Sequence, residues 1–192
     1  MRKTVLFMHT SLDNFVAGPQ GEMNWINAND EIFTYASQST RAADTALYGR
    51  KTYEMMESYW PTAADQPNPS AHDLEHAEWY NRVTKVVIST TLQGSEKPRT
   101  IIFSERIAEQ VQALKATAGK DILIFGSPST VHFLMQENLI DEFWLFVNPI
   151  VLGKGIPLFK GLTHTIKLDL IKRIAFDSGV VCLHYKNNRE TV

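Results

Sequence analysis

Asp121 to Phe159, DILIFGSPSTVHFLMQENLIDEFWLFVNPIVLGKGIPLF, is the stretch whose reading decides the fold. Ile122, Leu123, Ile124 and Phe125 form a short apolar run with β-branched members, the pattern of a strand buried on both faces. The run breaks at Gly126, and Ser127-Pro128-Ser129-Thr130 opens a helix. Ser127 suits the N-cap, and Pro128 suits the first helical position, where its missing N–H costs nothing. This helix is expected to bury Val131, Leu134 and Met135 and to end near Asn138. A second apolar strand, Phe143–Val147, follows almost at once. Strand, glycine turn, helix, strand is a βαβ unit. Its glycine end presents free backbone N–H groups and the positive end of a helix dipole, which together suit a phosphate.

Upstream, the strand Asp44–Tyr48 runs directly into Gly49-Arg50-Lys51-Thr52-Tyr53-Glu54. This is a second strand–glycine–helix junction. Gly49 lets the backbone approach a phosphate closely, and the helix N-terminus adds N–H donors. Arg50 or Lys51 can pair with the extra 2′-phosphate that separates NADP from NAD, and Thr52 can cap the helix or donate to a pyrophosphate. The competing reading is a surface helix whose cations face solvent. Two such junctions in one chain favour a cofactor.

With both junctions in view, LIDEFWLFVNPIVLGKGIPLF, GRKTYE and SLDNFVAG (residues 11–18) resemble the C-terminal reductase domain of the bifunctional riboflavin-biosynthesis deaminase/reductase. That domain belongs to the dihydrofolate reductase-like superfamily, and the resemblance covers nearly the whole chain. It implies a three-layer α/β fold over residues 1–192 as one domain: a mainly parallel central sheet with helices on both faces and a C-terminal antiparallel hairpin. It also implies NADPH, held by Ala17, Gly49, Arg50, Lys51, Thr52, Ser89, Thr90 and the turn Gly126, Ser127, Pro128, Ser129 and Thr130. Three positions depart from the family pattern. Asn14 stands where glycine is common, Ser127 stands where many relatives have a second glycine, and Pro128 removes one N–H donor.

The same resemblance implies a reductase of a small heterocycle, most closely of 5-amino-6-(5-phosphoribosylamino)uracil in riboflavin biosynthesis. A dihydrofolate reductase-like activity on a pteridine, or an NADP-binding protein without turnover, are the alternatives. Trp25, Asp30 and Phe33 are expected to line the substrate. Asp30 follows Trp25 at the spacing where dihydrofolate reductases carry one acidic residue. A half-buried carboxyl there would have a raised pKa and could relay a proton. Asp30 is equally well placed as an ordinary helix cap, and Glu31 is a lesser rival for the acid. The phosphoribosyl substrate needs a second basic pocket, which the sequence does not locate. A homodimer is implied by the family and fits the aromatic strand Phe143–Val147, which core burial explains equally well.

The rest of the chain fills in around these points. Lys3–Met8 reads as the first strand and residues 9–25 as an irregular loop. Asn29–Arg41 reads as a helix with Ile32, Phe33 and Ala36 inward, capped by Asn29 or Asp30. Residues 57–70 hold three prolines and suggest a surface flap. The polar helix Ala71–Val83 reads as an exposed lid. On it His72-Asp73-Leu74-Glu75-His76 spells H-x-x-E-H, the zinc motif of one peptidase class, but no third ligand is placed downstream and a solvated face is the simpler reading. Lys85–Thr91 and Arg99–Ser104 read as strands, and Glu105–Ala116 as an amphipathic helix. Lys167–Ile174 and Val180–Tyr185 read as a hairpin turned at Asp177-Ser178-Gly179, with Lys186–Val192 frayed.

Composition narrows the function classes. A formal charge of −2 over 192 residues gives no broad cationic field, so neither nucleic acid nor an anionic membrane is an expected partner. Cys182, the one cysteine, lies between Val181 and Leu183 and reads as a core residue. No signal peptide or membrane-length apolar run is evident, so a cytoplasmic location is expected. The deaminase zinc signature of the bifunctional enzyme is not found, which leaves a stand-alone reductase-like domain.

Overall fold

One eight-stranded sheet organises the protein in the computed structural model, which describes residues 1–92 and 97–189. The strands are β1 (Thr4–Thr10), β2 (Phe15–Ala17), β3 (Ala43–Gly49), β4 (Thr84–Ile88), β5 (Thr100–Phe103), β6 (Asp121–Ile124), β7 (Glu142–Val147), β8 (Ile156–Pro157), β9 (Lys167–Ala175) and β10 (Val181–Asn188). Their order in the main sheet is β5-β4-β3-β6-β1-β7-β10-β9. The pairings from β5 to β7 are parallel, and β7-β10-β9 are antiparallel. The helices are α1 (Asp30–Ala42), α2 (Arg50–Glu57), α3 (Ala71–Arg82), α4 (Ile107–Ala116) and α5 (Pro128–Gln136).

The central strands are apolar throughout because both faces are covered. Ile122, Leu123 and Ile124 of β6 are all fully buried. On one face α4 and α5 place Val111, Val131, Leu134 and Met135 against Leu6, Leu47, Ile122 and Ile124. On the other, α1 and α3 place Ile32, Tyr35, Trp79 and Tyr80 against Val5, Leu123 and Phe146. These are the three layers and closing antiparallel hairpin that the resemblance implies. Cys182 is buried as expected, and burial pushes its thiol up to about 12.

Several details differ from the sequence reading. The βαβ unit β6-α5-β7 is parallel, but β1 lies between its two strands and pairs with both. Asn14 takes the positive φ of 64° that asparagine tolerates, within a segment read as loop. That segment contains β2, which pairs with β8. A short 3-10 helix, Trp60–Asp65, stiffens the proline-rich excursion. Lys186–Asn188 are not frayed. They continue β10, and the buried Asn187 Nδ2 donates to Asn138 Oδ1 at 2.8 Å and Ile140 O at 2.9 Å. The last part of that expectation, residues 190–192, lies outside the described residues. Among the described residues no helix is long and apolar enough to cross a membrane.

Candidate active site

The two glycine corners converge. β3 and β6 are adjacent and parallel, so both strands end at the same rim, and Gly49 N–H donates to Gly126 O at 2.7 Å. The approach is tight enough to require glycine, since a Cβ on Gly49 would overlap Ser127 Oγ and Thr130 Oγ1. Gly126 has a φ of 114°, in the region other residues avoid, and a Cβ there would sit 3.3 Å from Thr52 Oγ1. The Gly126–Ser127 peptide is cis.

A groove of about 590 Å³ runs along this rim. From α2 it is lined by the exposed Arg50 and Lys51, and after β4 by Ser89, Thr90 and Thr91. The mouth of α5 contributes Ser127, Pro128, Ser129 and Thr130, and the apolar wall comes from Ile88, Ile107, Phe133 and Ile156. Ser127 Oγ lies 3.1 Å from Ser129 Oγ and 3.4 Å from Thr130 Oγ1. Ser127 occupies the N-cap of α5 without a side-chain cap bond, and Pro128 stands in the first turn, so the Ser127 hydroxyl bonds only its Ser129 and Thr130 neighbours at the groove. Arg50 meets Glu54 at 3.2 Å, an exposed pair worth little. Ser89 Oγ accepts from the N–H groups of Thr91 and Leu92, which ends β4 there and shapes the groove's far wall.

Some expected cofactor residues stand back. Gly49, Thr52 and Gly126 shape the corner from beneath. Ala17 is buried in β2, and its register partner Ile156, not Ala17, lines the groove. This donor set suits a dinucleotide phosphate: two helix N-termini, a hydroxyl cluster and two cations at one rim.

On the other side of Gly126 lies a smaller recess of about 100 Å³, between the ends of β1 and β6 and helices α1 and α3. Phe125, directly before the corner, is one wall, while Ser127 directly after it lines the groove. Phe7 and His9 of β1, residues of α1 from Ile32 to Thr40 with Phe33 among them, and His72, Glu75 and His76 of α3 supply the rest. Phe33 stacks on His72 with centroids 3.8 Å apart and planes within 5°. His76 packs on Trp60 at 4.1 Å. Burial holds His9 down to about 4 and His76 to about 3, so both imidazoles are neutral at physiological pH. Burial also lowers His72.

These observations correct three expectations. Helix α3 is not an exposed lid, because His76, Ala77, Trp79 and Tyr80 are buried. Glu75 of the H-x-x-E-H run is tied to Arg41 at 2.9 Å, and among the described residues no group of three or more His, Cys, Asp or Glu side chains could hold a metal. Asp30 is not half-buried. Asn29 takes the cap, accepting from Ile32 N at 3.0 Å, and Asp30 stands exposed in the first turn. It is still close enough to His72 to act on that imidazole's charge. Of the expected substrate residues, Phe33 lines the recess, whereas Trp25 bonds through Nε1 to Glu22 O at 3.0 Å and lies apart from it. The aromatic strand β7 lies inside the sheet between β1 and β10.

Sheet order, layers and paired glycine corners define an α/β domain of the dihydrofolate reductase-like class. The chain belongs to the RibD C-terminal domain family, which matches residues 2–182. It is 33% identical over 190 residues to the uncharacterized protein YyaP of Bacillus subtilis (strain 168), covering 97% of this chain and 96% of that one. It is 32% identical to YwjB of the same organism, covering 96% and 97%. Among solved structures, a candidate riboflavin biosynthesis protein from Shewanella sp. PV-4 superposes with a TM-score of 0.76 at 22% identity, covering 97% of this chain and 99% of that one. RibD of Acinetobacter baumannii superposes with a TM-score of 0.66 at 18% identity, where this chain spans 59% of that longer protein. These superpositions establish the fold.

Proposed function

We propose that this protein is an NADPH-dependent reductase of a C=N bond in a small pyrimidine- or pteridine-type heterocycle. The observation that carries this reading is the meeting of the Gly49 and Gly126 corners at one rim, with a phosphate-suited groove on one side and an aromatic recess on the other. NADPH supplies a hydride when bound. The residues of this chain do the remaining work. The helix mouths and the Ser127, Ser129 and Thr130 hydroxyls would hold the pyrophosphate, and Arg50 or Lys51 the 2′-phosphate. Phe33 and Phe125 would sandwich the heterocycle and exclude water, because hydride transfer needs close, aligned carbon centres. Asp30, at the exposed start of α1, would serve as a solvent-connected proton source rather than a buried acid.

A reductase acting on the phosphoribosylaminouracil of riboflavin biosynthesis is the nearest family precedent, and the RibD C-terminal domain match supports it. A location in the cytoplasm, where reduced nicotinamide is supplied, fits this reading. So does a homodimer formed along β9, the outer strand of the sheet, which leaves Leu170 and Ile171 half exposed. The test is an NADPH-oxidation screen across dihydrofolate, aminopyrimidine ribosyl phosphate and simple imine acceptors. Turnover of one acceptor, reduced at least about tenfold in a Gly49→Ala variant, is the expected result. Failure of every acceptor to draw electrons from NADPH would leave only a binding protein.

A further inference from the structure

The recess beside Gly126 is too small for the ring that the reductase reading seats in it. A cavity of ~150 Å³ admits benzene, and this one measures about 100 Å³. A pyrimidine or pteridine enters only where part of the wall gives way. Most of the wall is fixed. Ile32, Ala36 and His76 are buried. Ser37, Ser39 and Thr40 donate to carbonyls three residues back, at 3.0, 2.7 and 2.9 Å. Glu75 is paired with Arg41, and Asn148 Nδ2 lies 3.4 Å from His9 Nδ1. Phe125 is packed between Tyr48 and Trp79, with centroids 5.6 and 5.7 Å away.

His72 differs. It is half-buried, and among the described residues neither of its ring nitrogens has a hydrogen bond or an ion pair. Ring contacts alone hold it: Phe33 face to face at 3.8 Å, Trp60 edge-on at 5.5 Å and His76 at 5.4 Å. The backbone beneath it is secured. At the start of α3 the Asp73 N–H donates to Ser70 Oγ at 3.1 Å, and the Ser70 N–H donates to Asp73 Oδ2 at 2.9 Å. What can turn is therefore the side chain, by a change of rotamer. Its place is the one a substrate ring needs. Phe33, His72, His76 and Phe125 succeed one another across the recess, with centroids 3.8, 5.4 and 6.3 Å apart. His72 thus covers the Phe33 face that looks toward Phe125.

We propose that the His72 imidazole is an autoinhibitory plug: it stacks where the substrate heterocycle must stack, and the substrate enters by displacing it. This rests on the reading of the recess as the heterocycle site and adds how access to that site is controlled. A ring stack is worth about tenfold in an equilibrium constant, and apparent substrate affinity is reduced by that factor.

Displacement also takes up a proton. Burial lowers the His72 pKa against the pull of Asp73 and Glu75 on its own helix and of Asp30 on α1, while the adjoining His76 is neutral. In water the imidazole recovers its ordinary value near ~6.5. The displaced side chain binds a proton more readily than the stacked one, so substrate binding tightens as pH falls through that value.

The experiment is calorimetric titration of the full chain, with and without NADPH, using dihydrofolate and aminopyrimidine ribosyl phosphate as probes. His72→Ala should bind a probe about tenfold tighter than the wild type above neutral pH, and the tightening in acid should vanish. His72→Phe keeps a stacked ring that never charges, so it should bind no tighter than the wild type and show no tightening in acid. Proton NMR of the wild type adds a measurement independent of either variant and decides if His72→Ala does not fold. The His72 ring signals, shifted upfield over Phe33, should move downfield at saturation with the probe. Equal or weaker probe binding by His72→Ala would overturn the proposal, as would His72 signals unmoved at saturation. Failure of both probes to bind any of the three proteins would remove the heterocycle site and the plug together. The plug's behaviour without NADPH oxidation would keep the proposal and remove the reductase reading. NADPH oxidation with affinity unimproved in His72→Ala would do the reverse.

Discussion

The two ends of the parallel strands use opposite chemistry. At the end where the strands begin, charges close on one another. Arg2 donates to Asp44, to Thr45 Oγ1 and, at 2.6 Å, to Lys120 O. Lys115 and Arg189 each reach Asp141 at 2.6 Å, and Glu142 takes Lys3 at 2.7 Å and His184 at 2.9 Å. At the end where the strands finish, glycines stand in place of side chains, three hydroxyls face a groove, and a buried imidazole has no partner. The first end ties its polar groups to one another across distant strands, whereas the second leaves His76 Nε2 without a partner and its groove hydroxyls bonded only among themselves. The proposed function puts binding at this second end and leaves stability to the first, a division that lets substitutions at either be read separately.

The largest expected effect falls at the paired end. Lys115→Met takes from Asp141 the more deeply buried of its two cations, leaving it Arg189 and the Thr4 N–H, and should cost about 3 kcal/mol of stability, measured by urea unfolding, because breaking a buried ion pair is strongly destabilising. NADPH affinity should not move, and a large loss of affinity at full stability would break the division. Next is Gly49→Ala, whose Cβ overlaps the Ser127 and Thr130 hydroxyls. Overpacking of this kind costs about 2 kcal/mol, and here it should appear as a roughly thirtyfold loss in NADPH affinity.

Acid should separate the two ends by pH. His9 and His76 titrate far below a free imidazole because they are buried, at about 4 and about 3. The unfolded chain takes up a proton on each near pH 6.5 and the native protein does not. Stability therefore falls as pH drops below ~6.5, by about 1.4 kcal/mol per pH unit per histidine. The carboxylates act lower. The His184 and Lys3 contacts hold Glu142 below the usual range. Burial pushes Asp141 up, and bonds from Lys115 and the Thr4 N–H more than reverse it. Their contribution is present above the ordinary carboxylate range and is lost as pH falls through it. His76→Phe should flatten the upper leg of a pH–stability profile and leave the lower one. An unchanged upper leg would contradict the burial argument. The smallest effect expected is that of Asp30→Asn, a rate loss below about tenfold with unchanged NADPH affinity, since an exposed carboxylate can be replaced by water as proton source.

How much of this was legible in the sequence depends on how local each cause is. The strand–glycine–helix corners were readable because a turn, a cap and a dipole all lie within a few residues, and those residues do meet at one rim. The insertion of β1 between β6 and β7, and the pairing of β2 with β8, depend on contacts across more than a hundred residues and leave no local pattern. Helix α3 misled because its composition is polar. Its His72, His76 and Trp79 repeat at helical spacing, and what buries that stripe is Phe33, Trp60 and Phe125 from three distant segments. At Asp30 the plain rule that acids favour a helix's first turn described the residue better than the half-buried acid implied by resemblance.

The central claim is that two glycine corners seat one dinucleotide, and calorimetric titration of the protein with NADPH and with NADH tests it most directly. The account predicts saturable uptake of one NADPH per chain, with NADH at least about tenfold weaker for want of a 2′-phosphate to meet Arg50 or Lys51. No heat from either nucleotide, or equal affinity for both with Gly49→Ala unaffected, would contradict it.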